Sequence, residues 1–258
     1  MELAFSACGF LVGCLVGFTG MGGGSVMTAM LILLFGVHPV TAVGTDLLFA
    51  AVTKSVGARV HSGQGNVAWT VVGLLALGSV PGTLIALLVL SQLPIHDPAV
   101  AKIIKQLIGL ALLVAGSSLL LSRDSPRFAD VDGTAGQPER ARAVLTVVLG
   151  LFLGILVSLT SVGAGALGLV ILRRLYPNVS SVRLVGSDIA HAVPLTLLAG
   201  SGHWWLGGIN WMMLALLLLG SIPGIIVGSH FAHRVPDGLL RTVLGVVLIV
   251  IAVSLILA

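Results

Sequence analysis

The sequence predicts an all-α polytopic membrane protein made of two inverted repeats, each with a re-entrant helical hairpin followed by three transmembrane helices. Two observations carry this prediction. Of the 258 residues, 57% are hydrophobic and only 9% are charged, whereas soluble domains carry about 25% charged residues. The second half of the chain also repeats the first. A soluble globule of this size would not hide so much apolar surface, so we expect a chain that crosses the bilayer several times.

Composition and motifs exclude several classes of protein. The net charge is +4, but the basic residues flank apolar runs and form no patch with interleaved aromatic residues, so nucleic acid is not an expected partner. The two cysteines, Cys8 and Cys14, match neither a redox motif nor a zinc spacing. Zinc-protease, nucleophile-elbow and Walker motifs are also absent. We therefore expect no enzyme, no metal and no cofactor.

The internal repeat keeps one register along most of the chain. Val43–Asp46 returns as Val185–Asp188 at an offset of 142 residues, and Gly78–Gly82 returns as Gly220–Gly224 at the same offset. The glycine-rich segment around Gly20 returns at an offset of 141. The sequence therefore predicts a first membrane repeat, a cytoplasmic linker loop and a second membrane repeat, at 1–122, 123–142 and 143–258.

Each half contains four apolar stretches, at 3–36, 40–60, 67–91 and 102–121 and then at 143–172, 183–200, 208–232 and 238–257. The last three of each half have the length of single spans, about 18 to 25 residues. A single helix over 3–36 would be about 50 Å long, against a hydrocarbon core of about 30 Å. Since glycines lie in the middle of this stretch, we predict a hairpin that enters partway and returns. Its tip would be at Gly20–Ser25, and that of its equivalent at Ser161–Ala166.

The distribution of basic residues supports the hairpin topology. If the first stretch of each half is a simple span, the Lys and Arg residues divide six against seven between the two sides. If it is a re-entrant hairpin, all but Lys102 and Lys105 of the 13 lie on one side. Such a bias marks the cytoplasmic side. We therefore expect inverted repeats in the (inner) cell membrane, with both termini outside and the linker in the cytoplasm.

The glycine-rich tips are the candidate substrate site. Inverted repeats with broken helices are typical of transporters that bind substrate near the midplane. Unpaired N–H groups, glycine and a helix N-terminus together suit a small anion. The alternative is that the glycines only permit close helix packing; we favour the anion site because the cluster recurs. The candidate ligands are Thr19, Gly20, Met21, Gly22, Gly23 and Gly24 in the first tip, Thr160, Ser161, Val162, Gly163 and Gly165 in the second, and Thr45 and Ser187.

Asp46 and Asp188 are the only acidic residues inside the apolar runs, at equivalent positions. A carboxylate at membrane depth costs at least ~2.5 kcal/mol and is usually functional or paired. Two interpretations stay open: each Asp carries a proton, or each tethers a nearby hairpin tip through its N–H groups. A permanently charged pair would repel an anion, so we favour the neutral hydroxyls of Thr45 and Ser187 as direct ligands.

Two further residues are candidates for coupling. Lys54 lies in the second apolar run, and its equivalent is Thr196. It could attract an anion or pair with an acid, but we favour a lysine that snorkels to the interface. His191 follows Asp188 by three residues, which places both on one helix face. The pair could relay protons, although a satisfied core histidine is the favoured interpretation.

The sequence resembles the sulfite exporter TauE/SafE family. The resemblance rests on Gly17–Gly24, on Ala42–Thr45, on the turn from His61 to Trp69 and on Gly78–Gly82, together with the recurrence of the set in the second half. It implies a secondary transporter of small anions, chiefly sulfite and organosulfur compounds such as sulfoacetate, with export coupled to the proton gradient.

We therefore expect a secondary transporter, an exporter of sulfite or an organosulfonate coupled to the proton gradient. The alternatives are a passive anion channel or a transporter of a different small organic anion. The expected partners are the anion, protons and the lipid bilayer, and a homodimer is compatible with the sequence. A membrane enzyme or assembly factor is disfavoured by the missing motifs.

Overall fold

The fold of the chain is helical throughout the part that the computed structural model describes, which is residues 2–19, 24–95, 97–121, 139–163, 165–231 and 237–257. These ranges contain no strand. Their helices are α1 (Glu2–Thr19), α2 (Gly24–Phe35), α3 (Pro39–Gly63), α4 (Trp69–Gln92), α5 (Pro98–Leu121), α6 (Glu139–Thr160), α7 (Ala166–Leu175), α8 (Ser181–Trp205), α9 (Trp211–Phe231) and α10 (Asp237–Leu257).

Six of the described helices are long and apolar enough to cross a membrane: α4, α5, α6, α8, α9 and α10. Large apolar side chains cover their outer faces, for example Leu88 and Leu219, as expected of surfaces that meet lipid. Helix α3 is as long as α8 but is not among these six helices. It carries Asp46, Lys54 and Arg59. The prediction of a multi-pass all-α membrane protein is confirmed.

The first apolar stretch of each half is divided into a long and a short helix. Helix α1 ends at Thr19 and α2 begins at Gly24, while α6 ends at Thr160 and α7 begins at Ala166. Residues 20–23 lie outside the described part of the chain. After α6 the backbone takes positive φ at Ser161, Gly163 and Gly165, at 57°, 121° and 120°. Glycine adopts this conformation without strain, so the second copy of the motif stops the helix where the sequence predicts a break.

The predicted linker lies largely outside the described residues, which resume at position 139. Helix α6 begins at Glu139, four residues before the predicted start of the second repeat. Arg140 and Arg142 therefore belong to the first turn of a helix rather than to a loop.

Equivalent helices of the two repeats pack against each other in opposite directions. On α3 and α8, Gly44 lies against His203 and Gly57 lies against Ile189. Residue numbers thus rise along α3 as they fall along α8, so the pair is antiparallel. Helices α5 and α10 are antiparallel in the same way, because Gly109 lies against Ile256 and Gly116 against Gly245.

Two further pairs join the repeats, and in each the helices run in the same direction. Gly9 and Gly13 of α1 lie against the backbone of Leu217 and Ser221 of α9. The equivalent contacts between α6 and α4 place Gly150 on Leu75 and Gly154 on Ser79. A Cβ atom at any of these glycines would overlap a backbone carbonyl of the partner helix. Small residues allow such close approach in membranes, so the two repeats interlock along their helices.

Candidate functional site

The polar centre of the molecule lies on the antiparallel α3–α8 pair. Besides His203 of α8, four side chains that could be charged are buried there: Asp46 and Lys54 on α3, and Asp188 and His191 on α8. Their exposed fractions are 0%, 9%, 3% and 0%. These are the four residues for which the sequence predicts a coupling or tethering role, and the fold brings them to the contact between the repeats.

Asp46 joins three segments of the chain. Thr28 Oγ1, on α2, donates to Asp46 Oδ2 at 2.5 Å. The hydroxyl of Ser161, in the second tip, lies beside the same carboxylate without completing a hydrogen bond, and Asp46 Oδ1 has no partner among the described residues. Asp46 thus ties α3 to the short helix of its own repeat and faces the tip of the other repeat. The tie is made to a side chain of α2 rather than to N–H groups of a described tip.

Asp188 occupies the equivalent place in the second repeat. Its Oδ1 lies against the backbone of Gly168 on α7, so closely that a side chain at position 168 would collide with it. That oxygen is buried and has no hydrogen-bond partner in the described ranges. Each carboxylate therefore packs on the short helix of its own repeat, and each keeps one buried oxygen available for a proton.

Lys54 does not snorkel to the interface, so our favoured interpretation of this residue is wrong. Its side chain is buried and lies within electrostatic reach of both Asp46 and Asp188. The physical reason is that α3 lies inside the bundle against α8, α2 and α9. The two carboxylates stabilise the ammonium group buried there.

The two carboxylates lie on opposite sides of Lys54 along the bundle. Because Ile189 packs against Gly57, Asp188 lies near the level of residue 58 on α3. At ~1.5 Å of rise per residue, that is about 20 Å from the level of Asp46. Lys54 lies between these levels, close to the centre of its helix. The three charges therefore form a row through the middle of the α3–α8 pair.

The hydroxyls of Thr45 and Ser187 are engaged by the backbone of the opposite repeat. The N–H of Asn210 donates to Thr45 Oγ1 at 3.2 Å, and the N–H of Ala68 donates to Ser187 Oγ at 2.8 Å. Ser187 Oγ also donates to the carbonyl of Arg183. These equivalent bonds anchor the loops that lead into α9 and α4. An anion that accepted from the Ser187 hydroxyl would displace its bond to Arg183, whereas the Thr45 hydroxyl is the acceptor in its bond from Asn210 and can still donate its proton.

His191 connects α8 to α4. Its Nε2 forms a hydrogen bond of 2.8 Å with the hydroxyl of Ser79, while its Nδ1 has no partner among the described residues. The equivalents in the other repeat are Phe49 and Ser221, and the buried Ser221 hydroxyl has no described partner. The hydrogen bond thus exists in one repeat only, and it links His191 to α4 rather than to Asp188.

The second tip is compact and turned toward the first repeat. Thr160 Oγ1 accepts from the N–H of Val162 at 3.1 Å and donates to the carbonyl of Leu156. Val162 is fully buried, and the buried hydroxyl of Ser161 has no hydrogen-bond partner in the described part. Of the first tip, Gly20, Met21, Gly22 and Gly23 lie outside the described residues, and Thr19 and Gly24 flank them as helix ends.

Comparison with known proteins identifies the relatives of this chain. A family model described as "Sulfite exporter TauE/SafE" matches residues 5–255. The chain belongs to the TauE/SafE family. It is similar to two Bacillus subtilis (strain 168) proteins. One is "Probable membrane transporter protein YjnA", with 34% identity over 256 residues that cover 99% of this chain and 100% of that protein. The other is "Probable membrane transporter protein YdhB", with 27% identity over 240 residues and coverage of 90% and 91%.

No solved structure matches the chain. Membership of the TauE/SafE family makes it a membrane transporter and not an enzyme. In a transporter of this family, a buried row of two carboxylates and one ammonium can do two things. It can hold a proton on a carboxylate oxygen, and it can offer a positive charge to an anion.

Proposed function

We propose that this TauE/SafE protein is a proton-coupled secondary transporter, an exporter, of a small sulfur-containing anion such as sulfite or an organosulfonate. The observation that carries the proposal is the row Asp46–Lys54–Asp188, buried at the contact between the two halves of a bundle whose core is mainly apolar. Ionisable groups at membrane depth are costly and mark ion and proton pathways. A purely structural bundle has no need of them.

The proposed architecture is a pair of inverted repeats with re-entrant hairpins in the (inner) cell membrane. The antiparallel packing of α3 on α8 and of α5 on α10 supports inversion, since equivalent helices of inverted repeats run in opposite directions. The excess of basic residues on one side supports outside termini and a cytoplasmic linker. Transporters of this kind bind substrate at the repeat interface near the midplane, and the burial of Lys54 at the contact between the repeats supports a site there.

Each group in this site has a proposed role. The ammonium of Lys54 supplies charge and up to three donors to the oxygens of a sulfite or sulfonate group. The hydroxyl of Ser161 and the backbone of both tips supply further donors. Asp46 and Asp188 carry the proton, since a neutral carboxylic acid no longer repels the anion. His191 orients α8 against α4 through Ser79.

The test is flux of sulfite into proteoliposomes of the purified protein, with and without an imposed pH gradient. Accumulation driven by the gradient supports a proton-coupled carrier. Rapid flux that ignores the gradient supports a passive anion channel instead. Absence of flux for sulfite removes that substrate, and absence for a panel of sulfonates, thiosulfate and carboxylates removes the anion-transport function.

A further inference from the structure

The buried row of charges has an excess of one negative charge. With Asp46, Lys54 and Asp188 all ionised, the row carries two negative charges and one positive charge. His191 adds none when its imidazole is neutral and bonded to Ser79. The row is enclosed by apolar helices, and charges interact more strongly there than in water. An anion that approached the ionised row would therefore meet net repulsion, even with Lys54 present.

Among the described residues, Lys54 is the one lysine or arginine whose side chain is buried. Helices α2 and α4 carry no titratable residue. Helix α1 carries two thiols, those of Cys8 and Cys14. Cys8 lies within electrostatic reach of Asp46.

Three of the remaining titratable residues lie level with a carboxylate. His203 packs on Gly44, two residues from Asp46, and its Nε2 donates to the carbonyl of Ser158. His61 packs on Gly186, two residues from Asp188, and Arg59, at the same level, is exposed. The other titratable residues of α1, α3 and α5 to α9 lie toward the helix ends: Glu2, Lys102, Lys105, Glu139, Arg140, Arg142, Arg173, Arg174, Arg183 and His230.

A proton on either carboxylate balances the row. One neutral carboxylic acid leaves a single carboxylate opposite Lys54, so the net charge becomes zero and the ammonium can turn to an anion. Each carboxylate has a buried oxygen without a described partner, where that proton can sit. Because Asp46 and Asp188 lie on opposite sides of Lys54, protonation can occur at either end of the row.

We infer that the transporter binds one proton together with each monovalent anion and moves both in the same direction, as a symporter, rather than exchanging them. This inference rests on the proposed function. The loaded row, with one proton and one monovalent anion, has the same net charge as the empty row, so the cycle is electroneutral. Export then proceeds only when the outward gradient of the anion exceeds the inward gradient of protons.

The deciding measurement is the sign of the pH change that accompanies anion flux. Proteoliposomes are loaded with methanesulfonate, which stays ionised and carries no proton of its own, and with a trapped pH indicator. The membrane potential is clamped with valinomycin and equal potassium. Symport predicts that the lumen becomes alkaline as methanesulfonate leaves. Acidification of the lumen, or efflux without a pH change, would overturn the inference.

The variants Asp188→Asn and Asp46→Asn give a second test, because the charge moved by the transporter would not change if these residues had only structural roles. Each removes one negative charge, so the row binds the anion without a proton. Efflux should then become electrogenic and accelerate when a potassium gradient makes the lumen negative, while the pH signal disappears. Asp97→Asn is the matched control, because Asp97 is exposed before α5; it should behave like the unmodified protein.

The outcomes separate the inference from the proposed function. If the unmodified protein moves neither methanesulfonate nor sulfite, both fall together. If it moves the anion with the opposite pH signal, or if the Asp188→Asn variant stays electroneutral, the symport inference is refuted and the proposed function is not. Asp46 is bonded to Thr28 and its variant is the one more prone to misfold, so Asp188→Asn alone suffices for the test.

Discussion

Replacing Lys54 by Thr tests whether anion binding depends on the positive charge that is buried between Asp46 and Asp188. Threonine is the residue at the equivalent position of the second repeat, Thr196, where it is buried and bonded to the carbonyl of Ala192. The substitution therefore inserts a side chain that the same type of helix already accommodates. Among the described residues, it removes the one ammonium within electrostatic reach of the two carboxylates.

The size of the effect follows from the burial of Lys54. A hydrogen bond to a charged group contributes about 1.5 to 3 kcal/mol, and two unit charges in contact near ~4 Å interact by about 4 kcal/mol at an effective dielectric constant of ~20. A loss of about 2 to 4 kcal/mol corresponds to a weakening of anion binding by about thirty- to several-hundred-fold. We expect the KM for methanesulfonate to rise by that factor in Lys54→Thr.

The assay is the initial rate of methanesulfonate uptake by proteoliposomes over a range of concentrations, with protein that elutes as a single species. Lys102→Thr, which removes an exposed lysine near the start of α5, should leave KM unchanged. The double variant Lys54→Thr/Thr196→Lys moves the charge to the equivalent position and should recover part of the affinity. An unchanged KM in a well-folded Lys54→Thr protein would refute the assignment of Lys54 to the anion.

Three further predictions concern the contacts between the repeats. Gly150→Val should lower the free energy of unfolding by about 1 to 3 kcal/mol or more through overpacking, because its Cβ would meet a backbone carbonyl of α4. The control Gly73→Ala has open space around the added methyl group and should not destabilise the protein. Thermal unfolding in detergent measures both variants. Ser79→Ala should cost about 1 to 3 kcal/mol by leaving the imidazole nitrogen unpaired, and equal losses in Ser79→Ala and Ser221→Ala would contradict this. Thr45→Val removes the hydrogen bond from the Asn210 N–H and should lower the melting temperature, because about 1 kcal/mol of stability is lost. The KM should stay unchanged. A large rise in KM without a change in stability would contradict this and would identify Thr45 as a ligand of the anion.

The features that the sequence predicts well are those with a strong local signal. The apolar content determines the class of protein, and the glycines after Thr160 determine the break, because an α-helix does not continue through residues with positive φ. The equivalence of Asp46 and Asp188 is also visible in the sequence. Their position on facing antiparallel helices follows once equivalent helices pack together.

The environment of Lys54 could not be read from the sequence in the same way. A lysine toward the end of an apolar run has the same neighbours in sequence whether its helix faces lipid or lies inside the bundle. The loop anchors at Thr45 and Ser187 depend on backbone groups more than a hundred residues away. Only the repeat offset, which makes Ala68 equivalent to Asn210, hints that both hydroxyls have the same role.

The exceptions to the repeat are what suit this bundle to the proton coupling that we propose. Duplication supplies two carboxylates, two buried serines and two loop anchors, and a site built only from these would carry two negative charges and repel an anion. A lysine in both repeats would balance both carboxylates, and the anion would then need no proton. One lysine, at position 54 and not at its equivalent 196, leaves a deficit of one positive charge that one proton fills. In the symport that we infer, the asymmetry of the two repeats thus sets the number of protons that move with the anion.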